Sequence, residues 1–181
     1  QSFFRLRPHP AASKRGHDEV APVITSDGMI FTSNLIRASI KNFTDLQGRP
    51  YWDIYFSEKD EDDKWKDAEL LSDYLTTPQT EGPVSINAEE DFMVFSRSYE
   101  ISNFGNNRRG NPYTGLYFAE KTDGQWTNVT EYPHNDEEAH NSFPALSPDG
   151  NTLFFSSNRE GGFGGYDIYV SYLENGFWTE P

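Results

Sequence analysis

The sequence predicts an all-β protein built from three copies of one four-stranded unit. A proline opens a short apolar stretch at Pro22, Pro83 and Pro144, and both intervals between these prolines are 61 residues. Short runs of aromatic and aliphatic residues follow, separated by turn-forming residues, and helical periodicity is nearly absent. Because a fixed repeat length indicates one structural unit per repeat, the chain is interpreted as three such units.

Each unit is predicted to contain four short strands. Asp-Gly or Asn-Gly pairs, which favour tight hairpins, occur at 27–28, 123–124, 149–150 and 175–176, and each unit closes with a tryptophan at 65, 126 or 178. The expected strands are 20–25, 29–33, 52–57 and 64–70, then 83–87, 92–97, 115–120 and 125–129, then 143–147, 152–157, 166–172 and 177–180. A repeated four-stranded unit of this kind is typical of a β-propeller blade.

The predicted domain organisation is therefore a basic N-terminal arm or linker followed by three propeller blades. The expected boundaries are 1–17 for the arm, 18–79 for the first blade, 80–139 for the second and 140–181 for the third. Three blades do not close a ring, so the chain is expected to be part of a ring of about six to eight blades. Assembly of a ring from two copies is the alternative.

Composition narrows the classes of partner. The net charge of −14 argues against nucleic acid and anionic lipid, whose phosphates are bound by clustered basic residues. No run of about 18 apolar residues is present, so direct insertion into a membrane is not expected. The chain has no cysteine, which excludes disulfides and thiol catalysis. Four basic residues and no acid precede Asp18, so the arm is expected either to link domains or to lie against the acidic body.

The third unit carries a family resemblance. Its SPDG turn at 147–150, the FFSSNR run at 154–159 and the GGYDIY run at 164–169 resemble the WD-like propeller repeats of the TolB and tricorn type. The second unit matches less well, because AEED at 88–91 replaces the Pro-Asp-Gly turn. The resemblance implies a Gram-negative cell-envelope protein of the kind that joins such propellers to an OmpA-like domain, and some of these proteins serve secretion and gliding. It therefore implies a periplasmic, outer-membrane-associated or extracellular location.

Loop lengths predict which face of the blades binds a partner. The loops between second and third strands are expected at 34–51, 98–114 and 158–165, with blade-to-blade connectors at 71–82 and 130–142. In a propeller these loops and connectors emerge at one face, and the tight hairpins at the other. Long loops are usually functional, so we expect the long-loop face to bind a protein, such as another subunit of an envelope complex.

Arginine and aromatic residues on these loops are the candidate contact residues, since both types are favoured at protein interfaces. The alternative for each residue is a buried aromatic or a solvated arginine. The candidates are Arg37, Arg49, Trp52, Phe104, Arg108, Arg109, Tyr113, His134, His140, Arg159, Phe163 and Tyr166.

Candidate chemistry is sparse. The acidic runs at 60–63 and 135–138 lack the spaced pattern of a calcium loop, so solvated turns are favoured and no metal or cofactor is predicted. Asp53 and Asp167 each lead an Ile-Tyr strand, which suggests a structural hydrogen bond repeated in each blade. No nucleophile elbow or histidine partner pattern indicates a catalytic residue.

The sequence thus predicts a non-catalytic propeller module for protein interaction or scaffolding. Two alternatives remain open. One is the gating propeller of a serine peptidase, which would need a hydrolase domain elsewhere. The other is a carbohydrate-active propeller enzyme, which would need carboxylates converging in the central channel.

Overall fold

The predicted all-β fold is confirmed by the structure, a computed structural model. It describes residues 9, 12–13, 16–35, 51–99, 101–102, 109–110 and 113–181, and all regular secondary structure in these ranges is β. The strands are β1 (Glu19–Ile24), β2 (Gly28–Ser33), β3 (Asp53–Glu58), β4 (Glu69–Leu70), β5 (Glu81–Ile86), β6 (Phe92–Ser98), β7 (Ile101–Ser102), β8 (Arg109–Gly110), β9 (Thr114–Thr122), β10 (Gln125–Glu131), β11 (Asn141–Leu146), β12 (Thr152–Ser157), β13 (Asp167–Glu174) and β14 (Phe177–Trp178). No helix in these described ranges is long and apolar enough to span a membrane.

Twelve of the strands form three four-stranded antiparallel sheets, each of which is one blade. Blade 1 has the strand order β1-β2-β3-β4, blade 2 the order β5-β6-β9-β10, and blade 3 the order β11-β12-β13-β14. In every blade the start of the first strand pairs with the end of the second, as Glu19 does with Ser33. The loops after the second strands and the connectors between blades therefore lie at one end, the long-loop end, and the hairpins lie at the opposite, short-turn end.

A bulge in the first strand of each blade explains the proline spacing. The strand register shifts immediately around the proline in β1, β5 and β11. The residue before each proline, Ala21, Gly82 or Phe143, has a positive φ of 51°, 94° or 52°. Because proline provides no N–H for the ladder, it is tolerated where a bulge interrupts the pairing. The 61-residue interval in the sequence is thus the distance between equivalent bulges.

Two of the predicted hairpin turns have the expected geometry. Asp123-Gly124 has φ values of 51° and 79°, and Asn175-Gly176 has 52° and 83°, as a type I′ turn requires. The Asp27-Gly28 prediction was wrong in its detail, because Gly28 is the first residue of β2. A Cβ there would lie 2.7 Å from the ring of Phe56, so close approach explains this glycine.

The outermost strands of blades 1 and 3 are shorter than predicted, that of blade 2 extends two residues further to Glu131, and one loop contains an extra hairpin. β4 covers two residues rather than the whole of 64–70, since 60–63 forms a turn and only an isolated bridge joins Trp65 to Lys59. β14 likewise ends at Trp178. The outermost strand pairs on one side only, so few hydrogen bonds extend it. In the loop expected at 98–114, β7 and β8 pair with each other.

Apolar packing between blades forms the core. Each blade has two faces: the first face is directed toward the previous blade in the chain, and the second face toward the next blade. The cluster between blades 1 and 2 includes Ile30, Ile54 and Phe56 from the second face of blade 1 and Met93, Phe95 and Ala119 from the first face of blade 2. The cluster between blades 2 and 3 includes Val94, Leu116 and Phe118 from the second face of blade 2 and Leu153, Phe155 and Tyr169 from the first face of blade 3.

The described part of the N-terminal arm lies against the first face of blade 1. Ala12 is buried in a cluster with Met29, Phe31 and Tyr55 of that face. The ring of His9 meets the ring of Trp65 edge-on, with centroids 4.5 Å apart. The first face of blade 1 is therefore covered by the arm rather than by a blade.

We predict that Gly82→Ala strongly destabilises the contact between blades 1 and 2. Gly82 has φ +94°, and a Cβ would lie 2.8 Å from Thr32 Cγ2 in blade 1. Strain and overlap together should lower the free energy of unfolding by about 2–4 kcal/mol, measured by chemical denaturation. Gly124→Ala is the control, because it has a positive φ but open space around it, and should cost about 1 kcal/mol. Equal effects of the two substitutions would contradict close packing at Gly82.

Candidate functional site

At the long-loop end of blade 3, Arg159 joins the connector to the blade. Its guanidinium lies over the rings of Phe155 and Tyr169, 5.2 and 5.3 Å from their centroids. One Nη donates hydrogen bonds to the carbonyl oxygen of His134 (3.0 Å) and to Oδ1 of Asn141 (2.6 Å). Arg159 is therefore held by the structure and not simply solvated, although the sequence suggested it as a contact residue.

Arg97 occupies the corresponding place in blade 2. Its guanidinium lies 5.0 Å from the ring centroids of both Phe95 and Tyr117. It forms an ion pair with Glu81 at 3.2 Å, and the Glu81 side chain is only 1% exposed. Another donor of Arg97 reaches the carbonyl oxygen of Leu75 in the preceding connector at 2.8 Å.

Sequence reasoning missed Arg97 because it lies within β6, whereas Arg159 lies two residues beyond the end of β12. The usable signal was the recurring aromatic pair beneath each guanidinium. Phe95 and Tyr117 have centroids 5.9 Å apart, and Phe155 and Tyr169 have centroids 6.0 Å apart.

The connector before blade 3 is fixed by two side-chain contacts. The side-chain amide of Asn135 pairs with the backbone of Leu116, accepting its N–H and donating to its carbonyl oxygen, both at 2.9 Å. His134 Nε2 donates to the carbonyl oxygen of Trp178 at 2.8 Å. The connector is therefore tied to both blade 2 and blade 3.

Three of the predicted contact residues come together as an aromatic cluster at this end. The rings of Tyr113 and His140 meet edge-on with centroids 5.1 Å apart, and the ring of Tyr166 lies 6.2 Å from that of His140. The backbone N–H of His140 donates to Asn158 Oδ1 at 2.7 Å, which fixes the cluster against the loop after β12. Tyr166 is 55% exposed, so the cluster presents an aromatic surface to solvent.

The remaining described candidates lie apart from this cluster. Trp52 is half-buried, and its carbonyl oxygen accepts the N–H of Glu81 at 2.9 Å, which joins blades 1 and 2. Phe163 is fully exposed in the loop after β12. Its N–H and that of Gly164 both donate to the Asp167 carboxylate at 2.9 Å, so Asp167 shapes the loop.

Several candidates fall outside the part of the chain whose side chains the structure describes. Only the backbone of Arg109 is described, as part of β8. The candidates outside the described residues are Arg37, Arg49, Phe104 and Arg108.

The two acidic runs form hydrogen-bonded turns. Asp60 Oδ1 accepts the N–H groups of Asp62 and Lys64, both at 2.9 Å, and Lys64 forms an exposed ion pair with Asp62 at 3.0 Å. Asp136 Oδ1 accepts the N–H of Glu138 at 2.9 Å. Within the described ranges no three His, Asp or Glu side chains are arranged to hold a metal ion.

Two tyrosines behind this end have perturbed ionisation. Burial raises the pKa of the Tyr132 phenol, with partial opposition from the nearby Ser171 hydroxyl and Arg159 guanidinium. Burial also raises the pKa of Tyr99, and the nearby Glu131 carboxylate raises it further. Both phenols therefore remain neutral across the physiological range.

Comparison with solved structures defines the class of protein. A puromycin-hydrolysing peptidase from Mycobacterium tuberculosis matches with a TM-score of 0.56 and 11% identity over 91% of this chain. A puromycin hydrolase mutant in complex with PGG matches with a TM-score of 0.54 and 12% identity over 91% of this chain. The matched part of each neighbour is its propeller domain, so the chain has a β-propeller fold made of four-stranded blades.

These similarities extend no further than the fold. The chain spans 23% of each of the two peptidase chains, at identities that show the fold alone. TolB from Acinetobacter baumannii matches with a TM-score of 0.49 and 16% identity over 87% of this chain and 31% of that one, a score too low to support an argument. No protein-family model and no curated protein matches the chain.

We predict that Arg159→Ala destabilises the fold by about 2–3 kcal/mol, because it leaves Asn141 Oδ1 and the His134 carbonyl oxygen without their charged donor. Chemical denaturation measures this loss. Lys64→Ala is the control, since its exposed ion pair should contribute less than about 1 kcal/mol. If Arg159→Ala costs no more than Lys64→Ala, Arg159 does not hold the connector.

We also predict a loss of stability at alkaline pH that Tyr132→Phe reduces. Because the pKa of Tyr132 is raised in the folded state, its contribution to stability is complete below the unfolded pKa of about 10 and is lost as pH rises above it. Free energies of unfolding at pH 8 and pH 11 measure this slope. Tyr74→Phe, at a side chain that is 63% exposed, should leave the slope unchanged. A Tyr132→Phe slope equal to that of the unaltered chain would refute the assignment.

Proposed function

We propose that this chain is a non-catalytic β-propeller module that binds a protein partner through its long-loop end, as a scaffold in the bacterial cell envelope. The observation that carries the proposal is the aromatic cluster of Tyr113, His140 and Tyr166, in which Tyr166 is exposed to solvent and the other two rings are half-buried. Exposed aromatic residues on a fixed frame lose little conformational entropy on binding, which favours them as contact residues.

The surroundings of the cluster favour a partner with basic residues. An open cleft of about 580 Å³ lies at the same end, lined by Pro133, His134, Asn135, Asp136, Glu137, Glu138, Arg159, Glu180 and Pro181. Four of these residues are acidic, and the whole chain has a net charge of −14. An aromatic surface beside an acidic cleft suits a partner that presents apolar residues together with lysine or arginine.

The envelope setting is supported by the sequence resemblance of the third repeat. The gating propeller of a peptidase and a carbohydrate-active propeller remain the alternatives. The likeness to the two peptidase structures does not favour the first of them, because it shows the fold alone.

We predict that a photo-crosslinking amino acid in place of Phe163 captures the partner, because this side chain is fully exposed at the long-loop end. The measurement is mass spectrometry of crosslinked products in envelope extracts of the source organism. The same crosslinker at Asp123, in the turn between β9 and β10 at the short-turn end, is the matched control. Equal capture from both positions, or preferential capture from Asp123, would overturn the proposed face.

With the captured protein as ligand, Tyr166→Ala should weaken binding about 30-fold or more, as expected for an aromatic hot spot worth about 2 kcal/mol. Phe177→Ala is the matched control, since Phe177 is 78% exposed beside the β13–β14 hairpin at the short-turn end. Unchanged affinity for Tyr166→Ala would remove the aromatic cluster from the interface.

A further inference from the structure

The second face of blade 3 is an exposed apolar surface. Ile168 is 72% exposed, Tyr172 is 47% exposed and Phe154 is 44% exposed, and Val170 lies in the same row of side chains. Phe154 pairs with Val170 across β12 and β13, so their side chains lie on one side of the sheet. Monomeric proteins rarely leave such a continuous apolar surface in contact with water.

The same positions are buried in the other two blades, apart from Phe56, which is half-buried. Equivalent positions of the three blades can be aligned by a pair of aromatic rings on the first face of each blade. The pairs are Phe31 with Tyr55, Phe95 with Tyr117 and Phe155 with Tyr169. The second-face positions beside these rings are Ile30, Ile54 and Phe56 in blade 1, Val94, Leu116 and Phe118 in blade 2, and Phe154, Ile168 and Val170 in blade 3. The first two sets are each packed against the first face of the following blade.

We propose that the second face of blade 3 is a docking surface for another blade of the same repeat. The occupant presents two apolar side chains from its second strand and an aromatic side chain from its third, as Leu153, Phe155 and Tyr169 do on the first face of blade 3. In both observed interfaces an equivalent second face packs against side chains of that chemistry, and the second face of blade 3 continues this series. This inference does not depend on the proposed binding function of the long-loop end.

A second copy of this chain fits the surface poorly. The first face of blade 1 is the one first face not already packed against a blade among the described residues. Its residues Met29, Phe31 and Tyr55 are 6% exposed or less, and Ala12 of the arm packs on them. A head-to-tail pairing of two copies would have to displace the arm first.

The chain itself allows a direct test. Trp178-Thr179 corresponds to Trp126-Thr127, so a second copy of residues 130–181 added directly after Pro181 continues the repeat in register. The added copy would then present its own Leu153, Phe155 and Tyr169 to the exposed face. Because the sequence contains no cysteine, Ile168→Cys in the original blade 3 provides a single thiol that reports on access to this face.

We expect maleimide labelling of Ile168→Cys to be at least tenfold slower in the extended chain than in the 181-residue chain, with both chains monomeric by light scattering. Phe163→Cys, in the exposed loop, should label at the same rate in both chains and is the matched control. A second version carries Phe154→Val, Ile168→Cys and Val170→Phe, so that the side chains of this face resemble those on the second face of blade 2. This blade-2-like version tests whether an added blade folds there at all.

Equally fast labelling of Ile168→Cys in both chains overturns the proposal, and slow labelling of the blade-2-like version in the extended chain would then show that the added blade folds and still leaves the natural face open. Slow labelling already in the 181-residue chain, together with a dimeric mass, would show that a second copy covers this face and would overturn the proposal as well.

Discussion

The packing of one blade's apolar face onto the next is the constraint on which the rest of the structure depends. A four-stranded sheet of short strands has two faces, and in blade 2 both are apolar: Met93 and Phe95 point one way, Val94 and Leu116 the other. Such a sheet is stable only when both sides are covered, so stability arises between blades as much as within them. Substitutions on either face should therefore affect two blades at once.

This constraint also explains the polar contacts at the long-loop end. The apolar faces fix the spacing of neighbouring blades but not the path of the connectors. Arg97 and Arg159 supply that missing restraint, since each guanidinium covers an aromatic pair and donates to a carbonyl oxygen of a connector, that of Leu75 or His134. The buried carboxylate of Glu81 balances the charge of Arg97, while the amide oxygen of Asn141 accepts from Arg159 in blade 3.

Sequence patterns predicted the fold well, because the features that define it repeat. The interval between the prolines is the distance between equivalent bulges. The side chains around Phe95 and Phe155 point alternately to the two faces of a sheet. The contact residues were harder to predict, because the loops differ from blade to blade. The cluster of Tyr113, His140 and Tyr166 joins residues from two loops and a connector, and only folded distances bring them together. Arg159 was expected as an exposed contact residue, but its guanidinium donates to His134 and Asn141, which lie 25 and 18 residues earlier in the sequence.

The same constraint limits where a binding surface can form. Both faces of blades 1 and 2 are covered by neighbouring blades or by the arm, so their side chains are committed to packing. At the short-turn end, neighbouring hairpins bond to each other, as the Ser26 hydroxyl does to Glu90 (2.9 Å) and the N–H of Ala88 to the carbonyl oxygen of Pro148 (2.8 Å). The long-loop end alone combines fixed connectors with exposed aromatic side chains among the described residues. The long-loop end therefore suits the proposed binding of a partner, while the open face of blade 3 suits the proposed docking of another blade.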